Sequence, residues 1–415
     1  MSRISAATDS LRLGALRRAH TRRTAASPVA QELALHATHS SGLALADVLG
    51  HASRAPHVTL LLPTASKEGL FAGVRTALRT GALVSTATGV PLRILTMDAG
   101  PGAADRAALR RELRGELGLG HESVHMGPVW DERGGAHPDD LWIVTYWTTA
   151  HAAQTASQAA LLDARRVLHL VQDHEPSFFA ASGESATASA VHRAGFRTLV
   201  NSRPLQAHLA RHEGLVVDDR AVFRPALDER RLARAAARRR PSDTVRLGFY
   251  ARPGKPRNAF ALGAAALAQA MPDLRAHGVA VDVLTMGSRH PALVGTGGVD
   301  VRCLGRVSWD GYFDVLADVD VLLSLQMTPH PSHPPLDAVA SGGRAVTNDV
   351  HGTRTSLSTR LGATSADAPA LARALVAAAR SARDEGPAPY DDGFVRSLGA
   401  PLANAVDHVL AEVGT

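Results

Sequence analysis

Short apolar runs alternate with alanine-rich, helix-compatible segments from His57 onward. Each run is rich in leucine or β-branched residues and is bounded by Gly, Pro or Asp, which is typical of buried strands. A first series comprises VTLLLP (58–63), PLRILTM (91–97), DLWIVTYW (140–147), RVLHLVQ (166–172) and FRTLVN (196–201). The alternation of such strands with helices predicts a parallel sheet that is covered on both faces.

The pattern restarts after a charged segment punctuated by proline, AVFRPALDERRLARAAARRRPSD. The second series comprises TVRLGFY (244–250), VAVDVLTMG (279–287), VDVRCLG (299–305), VDVLLSL (319–325) and GRAVTN (343–348). Two doubly wound α/β domains are therefore predicted, an N-terminal one over residues 56–224 and a C-terminal one over residues 225–395. Ligands of such sheets bind beyond the carboxyl ends of the strands, which makes the cleft between two such domains the default site.

Residues 1–55 are predicted to form a basic, partly disordered N-terminal extension, since they hold seven arginines against three acidic residues. The segment SLRLGALRRAHTRR can form a short basic amphipathic helix that lies on anionic lipid at the inner face of the membrane, or it can remain a frayed tail. Arg22 and Arg23 are not followed by the apolar segment of an export signal.

The composition is that of a folded globular protein, with 45% hydrophobic residues in a chain of 415. The formal net charge of +6 favours anionic ligands, but 39 acidic residues are interspersed among the 45 basic ones. Nucleic acid is not expected as a partner, because aromatic residues make up only 4% and do not cluster with basic ones. The single cysteine, Cys303, cannot form an internal disulfide, and no apolar run approaches the roughly 18 residues of a membrane span. We therefore predict a cytoplasmic protein.

Lysine occurs only at Lys67 and Lys255, whereas arginine accounts for the other 43 of the 45 basic residues. The lysine ammonium is a compact point charge with three donors, whereas guanidinium is a rigid planar fork. A lysine retained against this arginine bias indicates a site that needs the smaller cation, although a single lysine can also persist by chance on a surface loop.

Lys255 lies in GFYARPGKPRNAF, directly after the predicted strand TVRLGFY. The prolines and glycine of this loop oppose helix formation until Asn258, which we predict as the N-cap of the helix AFALGAAALAQA. A helix N-terminus beside Arg252, Lys255 and Arg257 predicts an anion site, because free backbone N–H groups, the helix dipole and the side-chain charges act together. A Walker loop is excluded, since Pro256 stands where Ser or Thr should bind Mg²⁺. The predicted anion is therefore the diphosphate of a nucleotide sugar rather than the triphosphate of ATP.

A second loop after a predicted strand is QMTPHPSHPPLDAVASGGRAVTND (326–349). We predict Pro335 at the first helical position and Asp337 in the first turn, where its carboxylate caps N–H groups or accepts hydrogen bonds from ligand hydroxyls. His330 and His333 are a weak metal signal, because no third ligand lies nearby in the sequence. The Asp-Val-Asp sequence at 318–320 is interpreted as the start of an apolar strand. No metal and no cofactor is therefore expected.

Four stretches together resemble a known family. FYARPGKPRNAFALG, LSLQMTPHPSHPPLDAVASGGRAVTN, VQDHEPSFF and YWTTA are similar to the rhamnosyltransferases typified by WsaF, a branch of the GT-B glycosyltransferases. The resemblance spans roughly residues 57–350. It implies two Rossmann-like domains facing a central cleft, with a dTDP-sugar donor bound by the C-terminal domain and an acceptor glycan approached by the N-terminal one. It also suggests that residues 396–415 form a helix that crosses back to the N-terminal domain.

The resemblance also assigns donor-site roles to residues of the C-terminal domain. Arg252, Lys255 and Arg306 would face the donor diphosphate. Asp337 would lie near the nucleotide ribose or the sugar, where the family usually has Glu, and His333 stands where an aromatic residue is more usual. The full set of predicted donor-binding residues is Arg252, Lys255, Asn258, Arg306, His333 and Asp337.

The N-terminal domain contributes a loop and two acids. In GT-B enzymes the first loop of this domain approaches the donor diphosphate and the acceptor, and here it carries Lys67, Gly69 and Gly73. Asp173 and Glu175 in VQDHEPSFF are the predicted catalytic residues. One of them deprotonates the acceptor hydroxyl if transfer inverts the anomeric centre, and both orient the acceptor if transfer retains it.

These observations predict an enzyme that transfers a deoxyhexose, L-rhamnose from dTDP-L-rhamnose, to a glycan or lipid-linked saccharide in cell-surface polysaccharide synthesis. The alternative is a non-catalytic module that binds a sugar nucleotide or a glycan, which is favoured by the two departures from the family at Asp337 and His333.

Overall fold

The computed structural model describes residues 27–65, 72–98, 100–117, 124–295 and 297–411. The strands are β1 Val58–Leu62, β2 Leu92–Thr96, β3 His125–Pro128, β4 Leu141–Val144, β5 Val167–Val171, β6 Arg197–Asn201, β7 Val222–Phe223, β8 Thr244–Ala251, β9 Ala280–Gly287, β10 Val301–Cys303, β11 Val321–Leu323, β12 Arg344–Asn348 and β13 Leu361–Thr364. The α-helices are α1 Pro28–Ala34, α2 Ala46–Leu49, α3 Ala72–Thr88, α4 Ala103–Leu117, α5 Trp147–Gln158, α6 Gly183–Ala190, α7 Arg203–His208, α8 Glu229–Arg238, α9 Phe260–Ala276, α10 Trp309–Asp318, α11 His333–Ala340, α12 Ala368–Glu385, α13 Asp392–Ser397 and α14 Leu402–Ala411. Short 3₁₀-helices cover Ser40–Leu43, Val129–Asp131, Ala164–Arg166, Glu175–Phe178, Val191–Arg193, Asp219–Ala221 and Pro256–Asn258, and a π-helix covers Leu209–Glu213.

The chain divides into two compact units. The first unit runs to Asn201, resumes over Leu215–Phe223 and resumes again from Ala400, whereas the second unit comprises Ser202–Gly214 and Arg224–Gly399. The change between units after Phe223 lies close to the boundary predicted between residues 224 and 225, and α14 belongs to the first unit. The segment Ser202–Gly214 is a difference from the sequence-based division, which placed it in the N-terminal domain.

The first unit is built on a seven-stranded sheet in the order β3-β2-β1-β4-β5-β6-β7. All neighbouring strands are parallel. Strands β1, β2, β4 and β5 are buried along their whole length, which explains why their sequences are mostly apolar. The strand order reverses between β1 and β4, so the carboxyl ends of these strands form the topological switch point of this sheet.

Helices α1 and α2 are part of the core of the first unit. Leu33, Leu45 and Val48 are fully buried and pack with Trp142 and Trp147. The sequence placed these residues in a basic extension because the arginines of residues 1–55 dominate its average composition, although the apolar positions that build α1 and α2 are present. The basic segment SLRLGALRRAHTRR lies outside the described residues.

The second unit is built on a six-stranded parallel sheet in the order β10-β9-β8-β11-β12-β13. Alternate residues of β11 enter two cores: Val321 and Leu323 pack with α9 and α12, and Leu322 packs with α10 and α11. The strand order reverses between β8 and β11, which places a second switch point there. The predicted fold class, two doubly wound α/β domains, is confirmed.

Three strands were not predicted, and each lacks a strong pattern. β3 has the sequence HMGP, β7 has two residues, and β13 has the sequence LGAT with one large apolar side chain. In each case the neighbouring strand supplies the hydrogen bonds that the local sequence does not favour.

Among the described helices, none combines the length and the apolar character needed to cross a bilayer.

Candidate functional site

The two loops at the switch point of the second sheet follow β8 and β11. Because the strands are parallel, their carboxyl ends meet at one edge of the sheet, and the loops that follow them start side by side. The predicted donor residues Arg252, Lys255 and Asn258 lie in the loop after β8. His333 and Asp337 lie in α11, which follows the loop after β11. The structure therefore brings the two groups of predicted residues to the same edge.

The loop after β8 presents cations to solvent. The Lys255 N–H donates to the Arg252 carbonyl at 3.0 Å, which closes a turn, and both Lys255 and Arg257 are exposed. Arg252 is half-buried, and its side chain lies against Gly287 at the end of β9. A Cβ atom added to Gly287 would lie only 3.1 Å from Arg252 Cγ. Gly287 has a φ of +120°, so glycine is favoured here both by the backbone and by the space.

The next strands extend the basic edge. Arg306 is exposed and follows β10, as predicted. Arg289 follows β9, and its side chain lies against Gly305, because a Cβ there would stand 3.2 Å from Arg289 Cγ. The carboxyl ends of β8, β9 and β10 thus each carry an arginine, of which the sequence singled out two and missed Arg289.

The prediction that Asn258 is the N-cap of the following helix is wrong. Helix α9 starts at Phe260, one residue later than predicted, because Ala259 adopts a left-handed backbone with φ +44°. The Asn258 side chain is buried and donates at 3.0 Å to the Leu325 carbonyl and at 3.0 Å to Gln326 Oε1. Asn258 therefore joins the two loops of the switch point and positions them.

The shift leaves the N-terminus of α9 without a side-chain cap. The first N–H groups of a helix have no partner within the helix, and the helix dipole is positive at this end. With Lys255 and Arg257 exposed just before it, this helix start retains the properties of an anion site that the sequence predicted.

A buried polar network holds the loop after β11. The Gln326 N–H donates to Asn348 Oδ1 at 2.9 Å, and Asn348 Nδ2 donates back to the Gln326 carbonyl at 3.0 Å. The guanidinium of Arg354, which is fully buried, donates to the carbonyls of Gln326 at 2.9 Å and His330 at 3.3 Å and also to those of Thr328 and Asn348. This arginine fixes the backbone of the loop, and no signal in the sequence separates it from the other arginines.

Asp337 is not in the first turn of its helix, contrary to the sequence-based expectation. Helix α11 starts at His333, which places Asp337 in the second turn, and its Oδ2 accepts a hydrogen bond of 2.8 Å from the Tyr312 hydroxyl. Burial raises the pKa of Asp337 to about 7, although the Tyr312 hydrogen bond acts in the opposite direction. The carboxyl group is therefore only partly ionised at neutral pH, and a ligand that donates a hydrogen bond to it would favour the ionised form.

His330 and His333 are neutral at neutral pH. Burial lowers the pKa of His330 to about 3 and that of His333 to about 4, and their ring centroids are 6.4 Å apart. His330 Nδ1 accepts from the Ser332 N–H at 3.1 Å, so the proton of this neutral ring sits on Nε2. Within the described part of the chain Nε2 is buried and has no hydrogen-bond partner. A buried donor without a partner at the edge of an anion site is a candidate ligand contact that the sequence missed.

In the first unit, the two predicted catalytic acids follow β5 but differ in environment. Glu175 accepts a hydrogen bond from the Trp147 N–H and thereby caps the start of α5. Burial raises the pKa of Glu175 well above its usual value, the Trp147 N–H lowers it, and the charge of Asp173 adds to the rise. Asp173 is half-buried, and its Oδ1 accepts from the His174 N–H at 2.8 Å. Glu175 therefore holds the start of α5 and the segment after β5 together, whereas the hydrogen bond of Asp173 is to the next residue of the chain.

Part of the N-terminal loop lies outside the described residues, including Lys67 and Gly69. Gly73 is at the second position of α3, and its carbonyl accepts from Gln172 Nε2 at 3.0 Å. Since Asp173 follows Gln172, this contact ties the start of α3 to the segment that carries the two acids.

Two family models match the chain. The model described as "WsaF, N-terminal domain" matches residues 57–202, and that described as "WsaF, C-terminal domain" matches residues 245–376. A curated relative, O-antigen biosynthesis protein RfbC of Myxococcus xanthus, is 37% identical over 212 residues, which are 51% of this chain and 16% of that protein. The chain thus corresponds to a small part of the length of this relative.

Solved structures show the same architecture at low sequence identity. Sucrose-phosphate synthase from Thermosynechococcus elongatus has a TM-score of 0.52 at 14% identity, with 86% of this chain and 98% of that chain covered. The UDP-forming α,α-trehalose-phosphate synthase from Burkholderia vietnamiensis has a TM-score of 0.51 at 11% identity, with 87% and 98% covered. At these identities the likeness concerns the fold alone.

Proposed function

Because the chain belongs to the WsaF family of GT-B glycosyltransferases, we propose that it transfers L-rhamnose from dTDP-L-rhamnose to a glycan or lipid-linked saccharide in cell-surface polysaccharide synthesis. The name of the relative from Myxococcus xanthus, which refers to O-antigen biosynthesis, supports a polysaccharide product. We place the reaction in the cytoplasm, with peripheral attachment to the inner face of the membrane through the basic N-terminal segment.

The cationic loop before the uncapped start of α9 is the observation that carries this proposal. When a nucleoside diphosphate leaves a sugar, negative charge grows on the diphosphate while the anomeric carbon becomes oxocarbenium-like. Lys255, Arg252 and the N–H groups of α9 can stabilise that charge without a metal ion, since they are already oriented by the turn and by the helix. Arg306 would extend the same positive surface, and Asp337 would accept a hydrogen bond from a hydroxyl of the ribose or the sugar.

The acceptor belongs to the first unit in this proposal. Asp173 would deprotonate the acceptor hydroxyl in an inverting reaction or orient it in a retaining one. Glu175 would act as a positioning residue, because its carboxyl group already accepts the Trp147 N–H. The two carboxylates are thus assigned different tasks.

Calorimetric titration with dTDP, UDP and GDP in the presence of a chelator tests the donor site. We expect dTDP to bind selectively, followed by turnover of dTDP-L-rhamnose with glycan acceptors. Selective binding without turnover of any dTDP-sugar would instead support the non-catalytic module. Absence of binding to all three nucleotides would overturn the proposed donor site.

Replacing Lys255 by alanine should weaken dTDP binding by about ten- to a hundredfold, which corresponds to a lost charge-assisted contact of about 1.5 to 3 kcal/mol. Folding should be unaffected because Lys255 is exposed. Arg373→Ala, which removes an exposed cation from α12 of the same unit, is the matched control for a non-specific charge effect. Equal affinities of wild type and Lys255→Ala would return Lys255 to an ordinary surface position.

A further inference from the structure

Three histidines form a cluster in the second unit, and the proposed glycosyl transfer makes no use of them. His208 ends α7, His212 lies in the π-helix Leu209–Glu213, and His351 lies in the loop after β12. Their ring centroids are 4.5 Å apart for His208 and His212, 4.5 Å for His212 and His351, and 5.3 Å for His208 and His351. We propose that this triad binds a divalent transition-metal ion such as Zn²⁺, and that the ion clamps the segment Ser202–Gly214 to the loop after β12.

The local backbone explains why the three rings meet. His208 and His212 are four positions apart along a helical segment, so they share one face. A π-helical turn is uncommon and often marks a functional position. His351 has a left-handed backbone with φ +54°, which is uncommon for residues other than glycine.

The distances suit a metal after a small movement. One nitrogen from each of the three rings can be chosen so that all three lie within 4.8 Å of one another. Tetrahedral Zn²⁺ with Zn–N bonds of about 2.0–2.1 Å needs its ligand nitrogens roughly 3.4 Å apart. His208 is buried and pre-positioned, while His212 and His351 are exposed and can rotate inward. The fourth coordination position would remain open to water.

The charges around the triad are mixed. The Arg211 guanidinium lies near Gly352, which follows His351, and therefore opposes a bound cation. Asp349 offsets it, with its carboxylate accepting from the Gly352 N–H at 2.6 Å and from the Arg354 N–H at 3.0 Å. Binding must then come from the imidazoles, which favours Zn²⁺, Cu²⁺ or Ni²⁺ over Mg²⁺ and Ca²⁺.

A metal ion bound at the triad would raise the stability of the folded protein. The loop that carries His351 also carries Arg354, whose guanidinium holds the loop after β11. Fixing His351 to the segment Ser202–Gly214 would therefore restrain the base of the candidate donor site. The chemical step proposed above needs no metal, so failure of one proposal leaves the other intact.

Titration of the full-length, untagged, metal-free protein with Zn²⁺ tests the proposal. We expect one equivalent to bind in the micromolar range or tighter, with a rise in Tm, and Co²⁺ in place of Zn²⁺ to give the visible absorption of a four-coordinate site. His212→Ala and His351→Ala should each weaken binding at least about tenfold and abolish the Tm shift. Both positions are exposed, so these variants should fold.

His277→Ala is the matched control, because His277 is an exposed histidine of the same unit beyond the carboxyl end of α9. It should leave Zn²⁺ affinity unchanged. The proposal is overturned if the wild-type protein binds no Zn²⁺, or if His212→Ala and His351→Ala bind it as tightly as the wild type does.

Discussion

Replacing Arg354 by methionine should lower the free energy of unfolding by about 2–4 kcal/mol, since it leaves several buried carbonyl groups without their donor. The guanidinium donates to the carbonyls of Gln326, Thr328, His330 and Asn348, and the side chain has no exposed surface. Methionine fills a similar volume and removes the cost of burying a charge, so the measured loss reports the unpaired backbone groups. Denaturant-induced unfolding followed by circular dichroism measures it.

Arg380→Met is the control, because Arg380 is exposed on α12 of the same unit. It should change the free energy of unfolding by no more than about 0.5 kcal/mol. Arg354→Lys should fall between the two variants, since an ammonium retains the charge but lacks the planar fork that reaches several carbonyls at once. A wild-type-like Arg354→Met would show that these hydrogen bonds contribute little to stability.

Arg354→Met also distinguishes a residue that stabilises the donor site from one that contacts the donor directly. Arg354 is buried and donates hydrogen bonds to the loop after β11, whereas Lys255 is exposed in the loop after β8. We expect Arg354→Met to reduce both the stability of the protein and its affinity for dTDP. The variant loses the hydrogen bonds that hold the loop after β11, and Asn258 connects that loop to the loop after β8. Lys255→Ala should reduce affinity alone.

Most strands of both sheets could be predicted, because parallel strands buried on both faces are rich in apolar residues. β1, β2, β5 and β6 lie within a residue of the apolar runs that predicted them. The basic loop after β8 could also be predicted, since its prolines and glycine oppose helix formation and lysine is rare in this chain. These signals are local, and the sequence displays them directly.

The remaining features depend on contacts between distant parts of the chain. The left-handed conformation of Ala259 moved the start of α9 and turned Asn258 from a cap into a link with Gln326. The triad of His208, His212 and His351 forms only when the loop after β12 meets the π-helix. No pattern in one segment contains that information, because the partners are brought together by packing.

Asp337→Asn should stabilise the protein at about pH 8 relative to wild type and leave its stability unchanged near pH 4, because only the wild-type side chain can ionise. The pKa of Asp337 is raised from 3.8 to about 7, with burial as the main cause. Between these two values the folded state binds more protons than the unfolded state does, so wild-type stability falls as pH rises through this window. Above it the folded protein carries the full cost of a buried carboxylate, on the order of 4 kcal/mol.

Asparagine keeps the size of the side chain and an oxygen that accepts from the Tyr312 hydroxyl, so the variant should lack this slope. Unfolding curves measured between about pH 4 and pH 8 test the expectation. Asp273→Asn, at an exposed position of α9, should keep the wild-type slope. If instead the wild type and Asp337→Asn show parallel pH profiles, Asp337 is ionised in the folded protein throughout this range. That outcome would favour a carboxylate that is already ionised before a ligand hydroxyl arrives, whereas the expected slope means that the carboxyl group is mostly protonated below about pH 7 in the free protein.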